Sequence, residues 1–291
     1  MSWTTFDRMT KLLTALIQMR VTADKAENLS AAGDWIKRCA GEGAALVILP
    51  EMFCCPYESA AFPAYAEPEG GLAWQALSDA AREAQVYLVG GSMPEIDSAG
   101  RIYNTCYIFD PCGRQIGKHR KMHLFDIDVS GGQRFRESDT LSPGSQVTVV
   151  ETEFGRLGVA ICYDLRFPEL ARLMALRGAK ILVYPGAFNM TTGPAHWEIL
   201  FRTRALDNQV YTLGCAPARD ETAGYVSYGN SLVVSPWGHA LARLGAEEGR
   251  LLAEIDLDEV ERVRRELPLL QHRRTDVYDL VQLSQAREGK R

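Results

Sequence analysis

LGVAICYDLRFPELARLMALRGAKILVYPGAFNM, residues 157–190, decides the fold. An apolar, β-branched run (157–163) gives way at Pro168, a residue suited to the first helical turn, to a segment with apolar residues at helical spacing. Gly178 stops that helix, and a second apolar run, KILVYPG (180–186), follows at once. Both runs are too short and too uniformly apolar to be half-wet strands, so they read as buried strands with a helix packed over them.

The same grammar extends in both directions. Apolar strand-like runs recur at 12–18, 45–50, 86–92, 104–110, 147–152, 209–215, 231–236 and 251–257. Residues 24–40 read as a helix with Leu29, Ala32, Ile36 and Cys39 on one face, and with Asp24 and Glu27 spaced as a capping box. A third helix is expected over about 195–207, after Gly193-Pro194. In the middle of the chain, strand pairs are joined by turns at Ser98-Ala99-Gly100 and Asp110-Pro111-Cys112-Gly113. Alternating helices and strands imply an α/β protein with sheets covered by helices. No repeat, low-complexity tract or linker divides it, so one domain is expected.

Composition narrows the function. The chain has 291 residues, 46% of them hydrophobic, with a net charge of −5, and its pI near 5.7 gives no electrostatic case for nucleic acid. No apolar run is long enough for a membrane span, and charges interrupt the apolar stretch near the N-terminus, so no membrane partner and a cytoplasmic location are expected. Seven cysteines at scattered positions suit reduced thiols better than a disulfide framework.

Three residues stand at the edges of apolar runs: Glu51 in ALVILPEMF, Lys121 in HRKMHLFD and Cys162 in LGVAICYDLRFPE. A thiol attacking a carbon with a nitrogen leaving group needs a base and a cation near the developing charge, and these types supply that set. Glu51 and Cys162 fall at C-terminal strand ends, where open α/β sheets place ligand sites, and Lys121 falls on a loop between strands. The Tyr163 N–H and the helix that follows also favour thiolate and oxyanion. Each residue also has an ordinary structural use: a capping or solvated carboxylate, a wet surface lysine beside Arg120 and His123, an inert core thiol.

The local sequence around all three adds a resemblance. ILPEMF, RKMHLFDIDV and GVAICYDLRFPELARLMALRGAKILVYPGAFNMTTGPAHWEIL resemble the three signature regions of the nitrilase superfamily of carbon–nitrogen hydrolases, a likeness running from about residue 11 to 280. HLFDIDV, ESDTLSPG, RALDNQVY and APARD look like the omega-amidase branch, which hydrolyses 2-oxoglutaramate and 2-oxosuccinamate. The resemblance implies an αββα sandwich spanning 11–283, flanked by an N-terminal extension (1–10) and a tail (284–291). It also implies a C-terminal arm over about 258–283 and pairing into a homodimer or higher assembly. It implies Cys162 as nucleophile, Glu51 as general base, Lys121 and the Tyr163 N–H as holders of the tetrahedral intermediate, and Glu137 as a supporting second glutamate. The activity implied is a cofactor-free amide hydrolysis through a thioester. Deaminated-glutathione amidase is the alternative within the class, and a non-catalytic assembly protein on the same fold the alternative outside it.

A substrate carboxylate remote from the amide needs a cation or donors. Arg166 and Tyr57 follow the two catalytic segments, Phe188 and Asn189 fall at a third strand end, and Arg202 and Arg204 are further candidates. His119 and His123 have a chelating spacing, but with no third ligand nearby and Lys121 between them they make a poor site, so no metal is expected. Gly41-Glu42-Gly43 precedes a strand, the wrong order for a dinucleotide loop, and no G-x-S-x-G nucleophile elbow is present. Asn230, Ser235 and Cys54 depart from the omega-amidase pattern and are expected to act on the pocket rim or a dimer contact. The vicinal Cys54 and Cys55 are expected to make the site sensitive to oxidation.

Overall fold

The computed structural model describes residues 11–283. The chain runs β1 (Lys11–Gln18), α1 (Lys25–Gly41), β2 (Leu46–Ile48), α2 (Phe62–Tyr65), α3 (Leu72–Ala84), β3 (Tyr87–Val89), β4 (Met93–Ile96), β5 (Ile102–Phe109) and β6 (Gln115–Arg120). A small hairpin, β7 (Asp126–Asp128) and β8 (Arg134–Arg136), is followed by β9 (Thr148–Thr152), β10 (Gly155–Val159), α4 (Pro168–Leu176), β11 (Ala179–Pro185) and α5 (Gly193–Asn208). The chain closes with β12 (Tyr211–Cys215), β13 (Leu232–Val234), β14 (Ala240–Arg243), β15 (Gly249–Asp256) and α6 (Leu257–Glu266).

Two sheets result. One has the order β15-β1-β2-β3-β5-β4 with β6 added beside β5, and the other β14-β13-β12-β11-β10-β9. The centre of each is parallel, β1-β2-β3 in the first and β10-β11-β12 in the second. Antiparallel strands complete both edges.

Strand alternation sorts the core into layers. Leu12 and Leu16 of β1, with Leu46 and Ile48 of β2, join Leu157, Val159, Ile181 and Val183 between the sheets. Their neighbours Ala15, Ile17 and Val47 point the other way, against Ala32, Ile36 and Cys39 of α1 and Leu77 and Ala81 of α3. On the outer face of the second sheet, a Cβ at Gly158 would strike both Leu182 and Met174 of α4, which shows how closely helix and sheet meet there. The expected αββα sandwich is thus present, and each buried Leu or Ile contributes about 1.5–3 kcal/mol to it.

Several elements differ from the sequence expectation. The Asp24 side chain caps α1 through the Glu27 N–H as anticipated. Helix α3 has no comparable signal: Gly71 caps it without a side-chain bond, and Gln85, at φ +54°, takes the left-handed C-terminal position that usually marks a glycine. Helix α5 begins at Gly193, with Pro194 inside its first turn. The expected arm, about 258–283, begins inside α6 (Leu257–Glu266), a helix capped by Asp256. All seven cysteines are unpaired. Among the described residues no helix is long and apolar enough to cross a membrane.

Candidate active site

The ends of four strands deliver the key residues to one edge. Glu51 lies three residues beyond β2, Cys162 three beyond β10, Ala187 two beyond β11, and Lys121 directly after β6. None is on the surface: Glu51 is 1% exposed, Lys121 and Glu137 0%, Cys162 3%. The lysine expected among wet neighbours is one of the largest fully buried side chains in the protein.

Lys121 Nζ donates to Glu51 Oε1 and to Glu137 Oε1, both at 2.9 Å. Glu51 Oε1 also accepts from Asn104 Nδ2 at 2.9 Å, and its Oε2 accepts from the Ala187 N–H at 2.7 Å. The Cys162 thiol and the Glu51 carboxyl are close enough to perturb each other's protonation. Glu137 is fixed at its other end by the Phe125 N–H (2.7 Å), and Tyr57 OH donates to its Oε1 at 2.7 Å. Two of the three donors of Lys121 are thereby spent on carboxylates, and the third has only a long contact, 3.4 Å, to the Tyr57 hydroxyl, which an incoming oxygen can displace.

The backbone is bent to make this meeting possible. Cys162 has φ +46° and Met52, next to Glu51, φ +51°, a left-handed conformation that costs non-glycine residues energy and concentrates at functional sites. Asp164 holds the nucleophile turn in place. It accepts from the Ile161 N–H (3.0 Å) and the His123 N–H (2.9 Å), and it contacts His119 Nε2 at 3.0 Å and His123 Nδ1 at 2.7 Å. One buried carboxylate therefore ties the cysteine segment to residues on either side of Lys121. Both histidines of the suspected chelating pair are committed to it, and among the described residues no cluster is arranged to hold a metal. Arg204 closes the turn from α5, donating to the carbonyls of Leu165 (2.9 Å) and Arg166 (3.1 Å). Across the base, the Met52 N–H donates to Ser92 Oγ at 3.0 Å, and Gly91, at φ +61°, lies so near that a Cβ would sit 2.2 Å from the Pro50 carbonyl.

Arg166 ends the turn that Cys162 begins. Its guanidinium lies 4.7 Å over the Phe188 ring and 5.7 Å from Tyr163, and it donates to His196 Nδ1 at 3.0 Å. Among the described residues no carboxylate pairs with it. Tyr57 packs on Tyr225 (4.5 Å) and Phe135 (5.4 Å) to form an aromatic wall. The fold thus places Glu51, Lys121, Cys162, Glu137, Tyr57, Arg166, Tyr163 and Phe188 around one site.

Other candidates fall elsewhere. Asn189 spends its side-chain oxygen on the Thr192 N–H at 2.9 Å, shaping the entry to α5. Arg202 binds the Gly238 carbonyl at 2.9 Å, and Arg204 is a brace of the turn, so neither is a free carboxylate clamp. Asn230 accepts from Arg243 at 2.7 Å, Ser235 accepts from the Trp237 N–H at 3.3 Å within its own turn, and Cys54 is buried between sheet and helices. Cys54 and Cys55 are 0% and 1% exposed, which removes the ready access that oxidation sensitivity requires. Asn104, Asp164 and Tyr225 were missed, because an Asn in an apolar strand, an Asp in a turn and a Tyr in a loop carry no local mark of a long-range partner.

A sequence model of carbon-nitrogen hydrolase matches residues 13–265. The chain belongs to the carbon-nitrogen hydrolases. It is 52% identical over 272 residues to omega-amidase NIT2 of Xenopus tropicalis, covering 94% of this chain and 98% of that one. Against omega-amidase NIT2 of Homo sapiens it is 50% identical over 270 residues, with 93% and 98% covered. Among solved structures, Saccharomyces cerevisiae Nit3, a member of branch 10 of the nitrilase superfamily, superposes with a TM-score of 0.85 at 43% identity, covering 91% of this chain and 97% of that one. A double mutant of the amidase of Nesterenkonia sp. AN1, in complex with acrylamide, superposes with a TM-score of 0.78 at 27% identity, covering 94% of this chain and 98% of that one. The protein is a hydrolase of carbon–nitrogen bonds other than peptide bonds, in the omega-amidase branch of the nitrilase superfamily.

Burial sets the resting protonation of this hydrolase. It raises the Glu51 carboxyl, with the Lys121 charge pulling the other way and Glu137 adding to the rise. Burial and the Glu51 charge push the Cys162 thiol well up, against the opposing pull of Lys121. Burial alone would discharge Lys121, yet Glu137 and Glu51 outweigh it and hold the ammonium charged. The resting site therefore has a neutral thiol beside a carboxylate able to take its proton.

Proposed function

We propose that the protein hydrolyses the terminal amide of omega-amides of dicarboxylic 2-oxo acids, 2-oxoglutaramate and 2-oxosuccinamate, releasing ammonia and the 2-oxo acid without a cofactor. Glu51 takes the proton of Cys162 as the sulfur attacks the amide carbon. The oxyanion meets the third N–H of Lys121 and the Tyr163 N–H, which lies in the first turn of a 3₁₀ segment (Cys162–Arg166) where no intrahelical acceptor exists. The carbon–nitrogen bond breaks, Glu51 passes its proton to the leaving nitrogen, and a thioester remains. Glu51 then deprotonates water, the carbon–sulfur bond breaks, and the acid leaves. A mutant of the Nesterenkonia amidase with the acetamide moiety of fluoroacetamide added covalently at its active-site cysteine supports nucleophilic catalysis by Cys162.

The observation that carries the substrate class is Arg166. A guanidinium that is partly buried, stacked on Phe188 and free of any carboxylate partner among the described residues is set to receive an anion. It sits in the same short turn as the nucleophile, so it suits a carboxylate a few bonds from the amide, with the Tyr57 wall holding the chain between. Ammonia release from 2-oxoglutaramate, deaminated glutathione and glutamine, measured side by side, tests this. Rapid turnover of 2-oxoglutaramate with little from the others is expected; preference for deaminated glutathione would overturn the substrate assignment.

We further place the protein in the cytoplasm, where its unpaired thiols are kept reduced, and assign it a homodimer. Ile199 and Leu206 of α5 are 61% and 46% exposed, and Trp237 and Leu241 46% and 47%. Apolar residues presented in such number on α5 and on the β13–β14 hairpin suit a second copy.

A further inference from the structure

A cavity of about 80 Å³ opens between the loop after β2 and the loop after β12. Glu51 and Tyr57 form part of its wall at the catalytic end, while the exposed Glu58 and half-buried Asp220 stand toward solvent. Cys162, Lys121 and Arg166 do not line it. Ser227 does, and this side chain, 6% exposed, has an Oγ with no hydrogen-bond partner. A buried hydroxyl left unpaired is costly, and a cavity of this size, mostly apolar in its lining but with Glu51, Tyr225 and Ser227 among its walls, has room for several water molecules that would satisfy it.

We propose that this cavity is the intake for the hydrolytic water. The inference rests on the thioester mechanism above. Once Cys162 is acylated, the acyl chain runs from the sulfur toward Arg166 and occupies that approach. The second half-reaction still needs a water whose proton Glu51 can take, and the cavity reaches Glu51 without passing the acyl chain. Ser227 Oγ holds a water there. That water attacks the thioester carbon as its proton moves to Glu51; the carbon–sulfur bond then breaks, the proton passes to the sulfur, and the carboxylic acid is released. Atoms balance as one water consumed per acid formed, with no oxidant or further reactant.

Two variants test it. Ser227→Ala removes the hydroxyl with little change in volume, and Ala223→Phe narrows the mouth at an exposed position where folding is insensitive. Slower deacylation predicts kcat lower by about tenfold with kcat/KM for ammonia release unchanged. The acyl-enzyme should then accumulate in the intact mass spectrum during turnover. Wild-type kcat in both variants would overturn the intake, as would a parallel fall in kcat and kcat/KM without an acyl adduct. Wild-type protein turned over in hydroxylamine separates the two failures. Hydroxamate formation establishes the thioester independently of either variant, and its absence would overturn the mechanism and the intake together.

Discussion

Lys121 Nζ and Glu137 Oε1 lie 2.9 Å apart with both side chains excluded from solvent. Glu137 is thus a built component of the site, anchored by the Phe125 N–H and Tyr57 as well. In Glu137→Gln the lysine loses one of its two buried anchors, and kcat is expected to fall on the order of 10²-fold through its misplacement. The Glu137 charge also raises Glu51, so its removal moves the acid limb of the kcat/KM profile to lower pH. A variant with wild-type kcat and an unmoved acid limb would refute this role.

The pH profile of the unmodified protein follows from Glu51. The base must be ionised to accept the thiol proton, so kcat/KM falls as pH drops through its pKa. Because burial raises that pKa, the acid limb is expected above the ordinary glutamate value of about 4.3. Initial rates from pH 4 to 8 at low substrate concentration would show it, and a limb at the ordinary value would contradict the burial argument.

Cys162→Ala is expected to abolish turnover. Lys121→Ala should cost roughly 2.7–4 kcal/mol of transition-state stabilisation, with further loss as Glu51 and Glu137 are left facing each other. Ammonia assays at enzyme concentrations that reveal slow residual rates would distinguish the two; a competent alanine variant at position 162 would discard the mechanism.

Arg166→Gln tests the carboxylate clamp. Loss of hydrogen bonds between charged groups costs about 1.5–3 kcal/mol, roughly 10- to 150-fold in kcat/KM for an anionic omega-amide. Neutral short amides, having no carboxylate to bind, should be turned over as by the unmodified protein. An equal loss on both kinds of substrate would make Arg166 a structural residue.

Asp164→Asn leaves buried donors of two chain segments without their carboxylate. A stability loss of about 1–3 kcal/mol is expected at pH 7. Hydrogen bonds from His119 and His123 overcome the effect of burial and hold Asp164 well below the usual carboxylate range. Its contribution is therefore fully present above the unfolded value of about 3.9 and is lost as pH falls toward the lower folded value. Thermal melts of both proteins at pH 7 and at acid pH should converge as the pH drops; a constant gap would exclude a charge-based role.

Glu51 and Cys162 were legible because each follows an apolar strand that the sequence announces, and the strand ends converge at the parallel centre of each sheet. Lys121 was harder to place. The strand before it, QIGKHR, carries a single large apolar residue, Ile116, yet its side chains sort by alternation, His119 reaching Asp164 and Arg120 reaching Glu95 at 2.7 Å. Local polarity therefore said surface where the structure says core. The same limit hid Asp164, whose histidine partners are more than forty residues away, and α3, whose N-cap makes no side-chain hydrogen bond and whose C-cap is a left-handed Gln85.

The raised thiol of Cys162 has a consequence for the lifetime of the protein. Oxidants and alkylating agents react with thiolates in reach of solvent, and a nucleophile stored protonated, 3% exposed, offers them little until an amide arrives. Cys112, the exposed cysteine among the described residues, stands far along the chain from the catalytic turn and meets such reagents first. Chemical ageing should accordingly mark Cys112 well before it erodes activity.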